Sequence, residues 1–284
     1  MLSIIIPSKT ERFLKRTIED VLEKATGEIE IFPILNQYIL PASEMVSDPR
    51  VHYVILPEIP GFTNTKRQSI NLGVSMSKGE YVMSLDAHCM MAPGFDTQLT
   101  KDHQPYWVQV PRRNRLDPIA WSLQAQVDKR PPIDYEYIIY QLLEKNKEFH
   151  GFKWDDKTNK RMDIPIDDII EFQGSCWFMT KDWFNEMGFM QIEGYTGWGQ
   201  EAEEISLTTW FHGGRVVVNK NTWYAHLHKG PTFGRMYHLS QRESKRSYQY
   251  AYDLWAVKNR EFYLNLIEKF MPMPGWPSDW REKI

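Results

Sequence analysis

The first hundred residues alternate between short apolar runs and stretches with helical periodicity. Residues 2–6 are apolar or β-branched apart from one serine, the pattern of a strand buried on both faces. Apolar residues at helical spacing follow, and Gly27 ends the predicted helix. Further elements are predicted in the same way: strands over 29–35, 51–56 and 81–85, and a helix over 63–78. This alternation predicts a mostly parallel sheet with right-handed crossovers.

The second half of the chain is less regular. Five prolines interrupt residues 111–170, where the pattern predicts a helix over 134–148. Regular structure is then predicted as a strand over 172–179, a helix over 200–211 and a strand over 215–218. Residues 238–270 combine aromatic and basic side chains and predict a long C-terminal helix.

Composition narrows the class of protein. The 284 residues carry 34 Lys and Arg against 37 Asp and Glu, a net charge of -3, which argues against nucleic-acid binding by charge alone. Two cysteines, Cys89 and Cys176, cannot build a disulfide framework, which suits a reducing compartment. The N-terminus lacks the features of a signal peptide, and no apolar run reaches the ~18 residues of a membrane span. We therefore expect a soluble, cytoplasmic protein.

Aromatic residues are unusually abundant. The chain has 14 Tyr, 14 Phe and 11 Trp, together 14% of its residues. Aromatic side chains are enriched at ligand and partner surfaces, so this content predicts a binding surface in addition to a core.

The predicted strand over 81–85 ends in a pair of residues that could bind a metal ion. Asp86 and His88 are alternate residues and can face the same ion at a frayed strand end. A carboxylate with an imidazole suits a divalent transition metal such as Mn²⁺ better than Ca²⁺. The alternative is a surface aspartate beside an unrelated histidine.

Two later segments carry similar chemistry. Trp198 and Gly199 precede a predicted helix whose first turn holds Glu201 and two further glutamates, which the helix dipole also favours on its own. Glu201 could orient a sugar hydroxyl or act on a proton. On an extended segment, His226 and His228 would point the same way, so either could supply a third metal ligand or be a surface residue.

Together these segments resemble the GT-A glycosyltransferases, specifically the polypeptide N-acetylgalactosaminyltransferases and their family 2 relatives. The resemblance covers about two thirds of the chain. The matching segments, in family order, are Ser3–Pro7, Ser77–Glu80, Leu85–Cys89, Gly151–Trp154, Trp198–Ser206, Trp210 with Gly213 and Gly214, and Ala225–Lys229.

The resemblance implies a set of site residues. It implies that Asp86, His88 and His226 hold Mn²⁺ or Mg²⁺, with His228 as a possible addition or replacement for His226. It implies catalytic roles for Glu201 on the donor sugar, Trp198 beside it and Lys229 near the diphosphate. The implied nucleotide-sugar pocket comprises Pro7, Ser8, Glu11, Asn36, Arg67, Asp86, Ala87, Gly174, Trp198, Glu201 and Lys229.

The implied fold is a single Rossmann-like GT-A domain of the α/β class, with a mixed, mostly parallel sheet and helices on both faces. Residues 1–237 would form the catalytic domain, with a nucleotide-binding half over 1–100 and an acceptor half over 101–237. Residues 229–237 resemble the mobile loop that closes over the donor. Residues 238–284 would form a helical extension.

The implied activity is metal-dependent transfer of a sugar from a nucleotide-diphosphate sugar, expected to be a UDP-sugar, to an acceptor hydroxyl. Three places depart from the family pattern. An arginine that often contacts the nucleotide is represented here by Lys66 and Arg67 in a shifted place. Asn36 stands where the family usually has an aspartate that reads uracil. Ala202 stands where inverting family 2 enzymes commonly carry a catalytic aspartate, which favours retaining chemistry.

The acceptor stays open at this point. Two basic clusters, Arg112–Arg115 and Arg242 with Lys245 and Arg246, could hold a nucleic-acid backbone, so DNA with a modified base is one hypothesis beside a protein or glycan hydroxyl. A solvated helix face is the plainer interpretation. A different function, sugar-nucleotide binding or nucleotidyl transfer without glycosyl transfer, is also compatible with the fold, although the loop after the first strand lacks the expected glycines.

Overall fold

The computed structural model describes residues 1–62, 64–124, 129–234, 237 and 239–284. Its first half alternates strands and helices as the sequence predicts. The strands are β1 (Leu2–Ser8), β2 (Ile29–Asn36), β3 (Val54–Leu56), β4 (Tyr81–Leu85), β5 (Cys89–Met91), β6 (Trp107–Asp117) and β7 (Ser122–Leu123). The helices are α1 (Leu14–Lys24), α2 (Lys66–Met76) and α3 (Phe95–Asp102), with a 3₁₀ turn at Ala42–Glu44.

The second half completes the sheet and adds a helical end. Its strands are β8 (Glu136–Ile138), β9 (Gly151–Lys153), β10 (Ile166–Asp168), β11 (Cys176–Thr180) and β12 (Arg215–His226). Its helices are α4 (Tyr140–Asn146), α5 (Asp155–Lys160), α6 (Lys181–Glu186), α7 (Glu201–Phe211), α8 (Gln241–Tyr252), α9 (Arg260–Phe270) and α10 (Trp280–Lys283), with a π-helical segment at Asp253–Lys258.

One mixed, mostly parallel sheet organises the chain, as expected. Its strand order is β10-β12-β6-β11-β4-β1-β2-β3. Strands β1, β2, β3 and β4 run parallel, as do β6 and β12, whereas β11 lies antiparallel between β4 and β6. The carboxyl ends of β1, β2 and β4 therefore meet at one edge of the sheet, which is where ligands bind in open α/β sheets.

Three predicted elements differ from the structure. The helix predicted over 134–148 is wrong in its first part, because residues 136–138 form β8, which pairs with β9 before α4 begins at Tyr140. The strand predicted over 215–218 continues to His226 along β6. The long helix predicted over 238–270 is interrupted by the π-helical segment and by Asn259, which starts α9. Residues 63 and 238, at the edges of two predicted helices, lie outside the described residues.

Apolar side chains cover both faces of the sheet. Ile5 and Trp177 belong to the cluster on one face, while Ile4 and Phe178 belong to the cluster on the other. This alternation follows from the two-residue period of a strand. A third cluster packs Trp255 and Tyr263 of the C-terminal end against Leu207 of α7, so the C-terminal helices share an apolar core with the helix that begins at Glu201.

The loop before α7 is held against α8 by a close backbone approach. A Cβ atom at Gly197 would lie 2.3 Å from the backbone nitrogen of Ser244, so only glycine fits there. The Gly197 N–H donates a hydrogen bond to Oγ of Ser247 at 2.9 Å. Gly199 has φ +95°, a left-handed conformation that glycine adopts without strain. This packing fixes where Trp198 and α7 enter the site.

Candidate functional site

A cavity of about 460 Å³ opens at the carboxyl edge of the sheet. Its wall includes the ends of β1, β2 and β4 at Ser8, Asn36 and Asp86. The segment after β12 closes the opposite side. All but one of the residues implied for the nucleotide-sugar pocket line this cavity: Pro7, Ser8, Glu11, Asn36, Asp86, Ala87, Gly174, Trp198, Glu201 and Lys229.

Three side chains in this cavity converge as metal ligands would. Ligand atoms of Asp86, His88 and His226 all lie within 4.8 Å of one another. Nε2 of His226 is 3.0 Å from Nε2 of His88 and 3.5 Å from Oδ2 of Asp86. The register explains the convergence, because β12 pairs His226 with Cys89, next to His88.

The chemistry of this donor set fits a divalent transition metal. One carboxylate oxygen and two imidazole nitrogens are the mixed ligands that Mn²⁺ accepts. Burial lowers the pKa of His226 to about 3, so its ring is neutral and has a lone pair to offer. Burial would raise the pKa of Asp86, but Lys66 and the two histidines outweigh it and hold that pKa well below its usual range. Both protonation states are those that metal binding needs.

His228 lies close to this group without joining it. Its ring centroid is 5.3 Å from that of His226, and it lines the same cavity. Burial lowers the pKa of His228 to about 4. The three ligand atoms that converge belong to Asp86, His88 and His226. Of the two histidines that the sequence offers as a third ligand, His226 is therefore the one that lies in the group.

Glu11 connects the metal ligands to Lys229. Its Oε2 is 3.3 Å from Nδ1 of His88, and Nζ of Lys229 donates to both of its oxygens at 2.5 and 2.8 Å. A carboxylate behind a metal-binding histidine fixes the ring's orientation. Burial would raise the pKa of Glu11, but His88 and Lys229 lower it, so the carboxylate stays charged.

Lys66, and not Arg67, faces the cavity from α2. Nζ of Lys66 is 2.9 Å from Oδ1 of Asp86 and donates to the carbonyl of Gly174 at 3.0 Å. Arg67 is turned into the core and does not line the cavity. It is 3% exposed and pairs with Glu204, and its Cζ lies 4.1 Å from the ring centroid of Tyr195. The fold therefore places the Arg67 side chain away from the cavity in which the resemblance implies a nucleotide contact.

The start of α7 brings Trp198 and Glu201 into the lining of the cavity. Glu201 is 6% exposed, and its Oε1 has no hydrogen-bond partner. Glu204, three residues on, is turned into the core, where its Oε1 accepts from the backbone N–H of Gln191 at 2.7 Å. Of the glutamates in this turn, Glu201 is therefore the one available to a ligand in the large cavity.

The loop predicted to close over the donor is described in part. Lys229, Gly234 and Tyr237 line the cavity, and Phe233 packs against Phe13 with ring centroids 5.8 Å apart. Residues 235 and 236 of the predicted loop lie outside the described residues. The described part of the loop therefore contributes one aromatic side chain, Tyr237, to the lining of the cavity.

Two other sequence features take a different role from the one expected. Arg112 makes a two-pronged ion pair with Asp134, and Arg113 pairs with Glu136 at 2.8 Å, so neither guanidinium is available to a nucleic-acid backbone. Most of the tryptophans serve the core. Trp198 is the one tryptophan among the described lining residues of the large cavity, while Trp177 and Trp183 are buried in the sheet's apolar cluster.

A second, smaller cavity was not predicted from the sequence. It has a volume of about 190 Å³ and shares Gln173, Gly174, Trp198 and Glu201 with the large one. Its other walls bring together Glu136, Glu148 and Glu171 from three distant segments. No local motif links these glutamates, so only the fold could reveal them.

No helix among the described residues is both long and apolar enough to span a bilayer. With the fold and the site in view, the molecule has the architecture of a GT-A glycosyltransferase, as the sequence motifs imply. A family model described as "Glycosyl transferase family 2" matches residues 3–188. The chain therefore belongs to glycosyl transferase family 2.

Curated relatives are similar at low identity. The chain is 24% identical over 223 residues to a probable N-acetylgalactosaminyltransferase 8 of Caenorhabditis elegans, covering 71% of this chain and 50% of that protein. It is 24% identical over 230 residues to human polypeptide N-acetylgalactosaminyltransferase 10, covering 75% of this chain and 35% of the relative. The chain thus spans half or less of the length of these relatives.

Solved structures share the fold. A crystal structure of GalNAc-T7 with UDP, GalNAc and Mn²⁺ superposes with a TM-score of 0.68 at 16% identity, covering 100% of this chain and 54% of that one. The structure of S. aureus TarS gives a TM-score of 0.50 at 11% identity over 80% of this chain and 36% of that one. These likenesses confirm the expected fold class.

Proposed function

We propose that this chain is a metal-dependent glycosyltransferase that moves a sugar from a nucleotide-diphosphate sugar, a UDP-sugar, to an acceptor hydroxyl. One observation carries the proposal. Asp86, His88 and His226 converge in the large cavity, whose lining also includes Glu201. The similar GalNAc-T7 structure holds UDP, GalNAc and Mn²⁺, which supports the same ligand classes here.

The charged residues of the large cavity have separate roles in this proposal. Asp86, His88 and His226 would hold Mn²⁺ or Mg²⁺, which when bound neutralises the charge that develops on the departing diphosphate. Lys66 and Lys229 bring two further positive charges to the same side of the cavity, where they favour a bound diphosphate. Glu11 keeps Lys229 and His88 in place.

In the same cavity, Glu201 is suited to orient the donor sugar. Its buried, unpartnered carboxylate oxygen can accept a hydrogen bond from a sugar hydroxyl, and Trp198 offers an apolar ring surface beside it. These contacts would hold the anomeric carbon toward the second cavity. They would also exclude water from the reacting bond.

Retention of anomeric configuration is part of the proposal. Ala202, which stands where inverting relatives carry an aspartate, is buried near Gly174 and offers no carboxylate. NMR of the first-formed product separates the two outcomes. A product of inverted configuration would contradict retention without contradicting glycosyl transfer.

Donor turnover with and without metal tests the function. Purified protein is incubated with a panel of nucleotide-sugars in Mn²⁺ or in EDTA, and release of the nucleoside diphosphate is measured. We expect turnover of a UDP-sugar in Mn²⁺, loss of it in EDTA, and loss of it in His88→Ala. Full turnover in EDTA would overturn the metal requirement, and no turnover of any donor would overturn the function.

A further inference from the structure

The second cavity adjoins the proposed donor site through a thin wall. Gln173, Gly174, Trp198 and Glu201 line both cavities. At Gly174 the wall has no side chain, so the two spaces approach each other across the backbone. The smaller cavity, of about 190 Å³, is below the usual size of a drug-binding pocket and suits a small chemical group.

Carboxyl groups dominate the lining of this second cavity. Five glutamates line it: Glu136, Glu148, Glu171, Glu201 and Glu203. The described lining residues include one side chain that can carry positive charge, His150, which is 3.5 Å from Glu148. Arg113 compensates Glu136 from outside the lining. An anionic ligand would therefore find little positive charge here to bind it.

Two oxygen atoms in this lining lack hydrogen-bond partners. Oε1 of Gln200 and Oε1 of Glu201 are buried and unpartnered, and the residues are 3% and 6% exposed. The Gln200 amide nitrogen donates to the carbonyl of Phe149 at 2.7 Å, which leaves Oε1 as the free end of the side chain. A buried acceptor without a donor is costly, so both oxygens call for a ligand that donates.

An aromatic ring completes the lining. Tyr248 of α8 lies against Gly199, with its Cε1 3.4 Å from the position a Cβ would take there. Burial raises the pKa of Tyr248 to about 12, so the ring is neutral. A neutral aromatic face beside carboxylates is the combination that binds an ammonium group, through cation–π attraction and charge-assisted hydrogen bonds.

We propose that this cavity receives the acceptor and selects one that carries a primary ammonium group close to the hydroxyl that is glycosylated. The inference rests on the proposed glycosyl transfer, since it names the acceptor class of the same site. A neutral polyol would satisfy the two free oxygens but leave the glutamates uncompensated. A phosphate-bearing acceptor would be repelled. An ammonium group satisfies both the hydrogen bonds and the charge.

Binding of matched sugars without donor tests the inference. D-glucosamine, D-glucose and D-glucose 6-phosphate differ in one substituent, and their dissociation constants are measured by NMR titration at pH 6.5. We expect glucosamine to bind about tenfold or more tightly than glucose, in line with a charge-assisted hydrogen bond, and the phosphate not to bind. Equal dissociation constants for D-glucosamine and D-glucose overturn the inference. Tighter binding of D-glucose 6-phosphate than of D-glucosamine also overturns it.

Matched variants locate the selectivity. Glu203→Gln and Glu171→Gln remove carboxyl groups that a bound ammonium group would ionise, so both are expected to reduce the preference for glucosamine toward that of a neutral site. Glu186→Gln, the same change on the exposed face of α6, should leave the preference unchanged. Thermal melting of each variant reports folding. An unchanged preference in both folded cavity variants overturns the assignment to this cavity.

Donor hydrolysis, measured in parallel, separates the two proposals. Hydrolysis of a UDP-sugar without any preference among the three sugars would refute the acceptor inference and leave glycosyl transfer standing. Selective binding of glucosamine without turnover of any donor would refute the proposed function, while leaving an ammonium-binding cavity. The two failures therefore give different results.

Discussion

The two cavities that meet at Gly174 differ in how far their carboxyl groups are paired with positive charges. On the donor side, the two carboxylates beside the histidines have cationic partners: Asp86 has Lys66, and Glu11 has Lys229. On the acceptor side, several glutamates share little positive charge, and burial with like charge raises the pKa of Glu203 to about 8. The difference indicates that the donor side is organised before a ligand arrives, whereas the acceptor side lacks a cation that a ligand could supply.

The largest expected effect comes from a pair that serves the structure. Arg67 and Glu204 are both almost fully buried and form an ion pair beneath the start of α7. Arg67→Met leaves Glu204 buried and unpaired, and should lower the free energy of unfolding by about 3–5 kcal/mol. Urea unfolding measures it, with the exposed Arg242→Met as the control.

The double variant Arg67→Met with Glu204→Leu sharpens this result. Removing both charges should restore most of the lost stability, because no uncompensated charge remains. A single Arg67→Met variant as stable as the control would contradict the structural role and reopen a role for Arg67 at the ligand.

Asp86→Asn should abolish the donor side's affinity for metal. The substitution removes the one charged ligand among the three and leaves Lys66 unpaired. We expect donor turnover to fall by about 10²–10³-fold, comparable to loss of one strong electrostatic contact in an active site. Electron paramagnetic resonance of free Mn²⁺ measures binding directly. The exposed Asp163→Asn is the matched control, and retained Mn²⁺ affinity in Asp86→Asn would count against the site.

Glu11→Gln should weaken metal binding less, by about 10–100-fold, because Glu11 acts through His88 and does not itself belong to the ligand set. The same change releases Lys229, whose ammonium group now donates to both oxygens of Glu11. The KM for the donor should therefore rise together with the metal requirement. An unchanged metal titration would show that His88 is held in place without Glu11.

The smallest effect concerns the acceptor side and pH. Burial, with added repulsion from Glu201 and Glu136, raises the pKa of Glu203 to about 8 from an ordinary 4.5. The folded chain keeps a proton that the unfolded chain loses between these values, so the free energy of unfolding falls as pH rises through this window.

Glu203→Gln should flatten that part of the stability profile. We expect the melting temperature of the wild-type protein to fall by about 2–4 °C more than that of the variant between pH 6 and pH 9. Differential scanning calorimetry of both proteins measures the difference. Parallel profiles would mean that Glu203 is charged at neutral pH. Burial and like charge would then disfavour its carboxylate less than the raised pKa indicates.

Sequence patterns predicted the donor side well because its residues follow strand ends. Continuous apolar runs identified β1, β2 and β4, and the polar residues directly after them, Asp86 among them, lie at the cavity. The extended pattern named His226 and His228 as possible third ligands, and the family resemblance favoured His226, because only the pairing of β12 with β5 brings it to Asp86 and His88.

The parts that sequence reasoning missed depend on long-range pairing. Strand β6 was not predicted because it contains Pro111 and several arginines. In the structure Arg112 and Arg113 form ion pairs with buried or half-buried carboxylates, which allows them to lie in a strand of the sheet. Lys66 and Arg67 are neighbours whose roles only the orientation of α2 decides. The second cavity takes its glutamates from separate segments, so no spacing in the sequence could reveal it.

Gly174 has a consequence that extends beyond this chain's own chemistry. The residue forms the partition between the two cavities, and a Cβ there would meet only ordinary contacts, at 3.7 Å from Ala202. The fold therefore tolerates a side chain at this point. A side chain there would take up space between the two cavities, beside Ala202 and Glu201. One position can thus tune how bulky an incoming group is allowed to be, which makes it a natural place for related sequences to diverge in acceptor range.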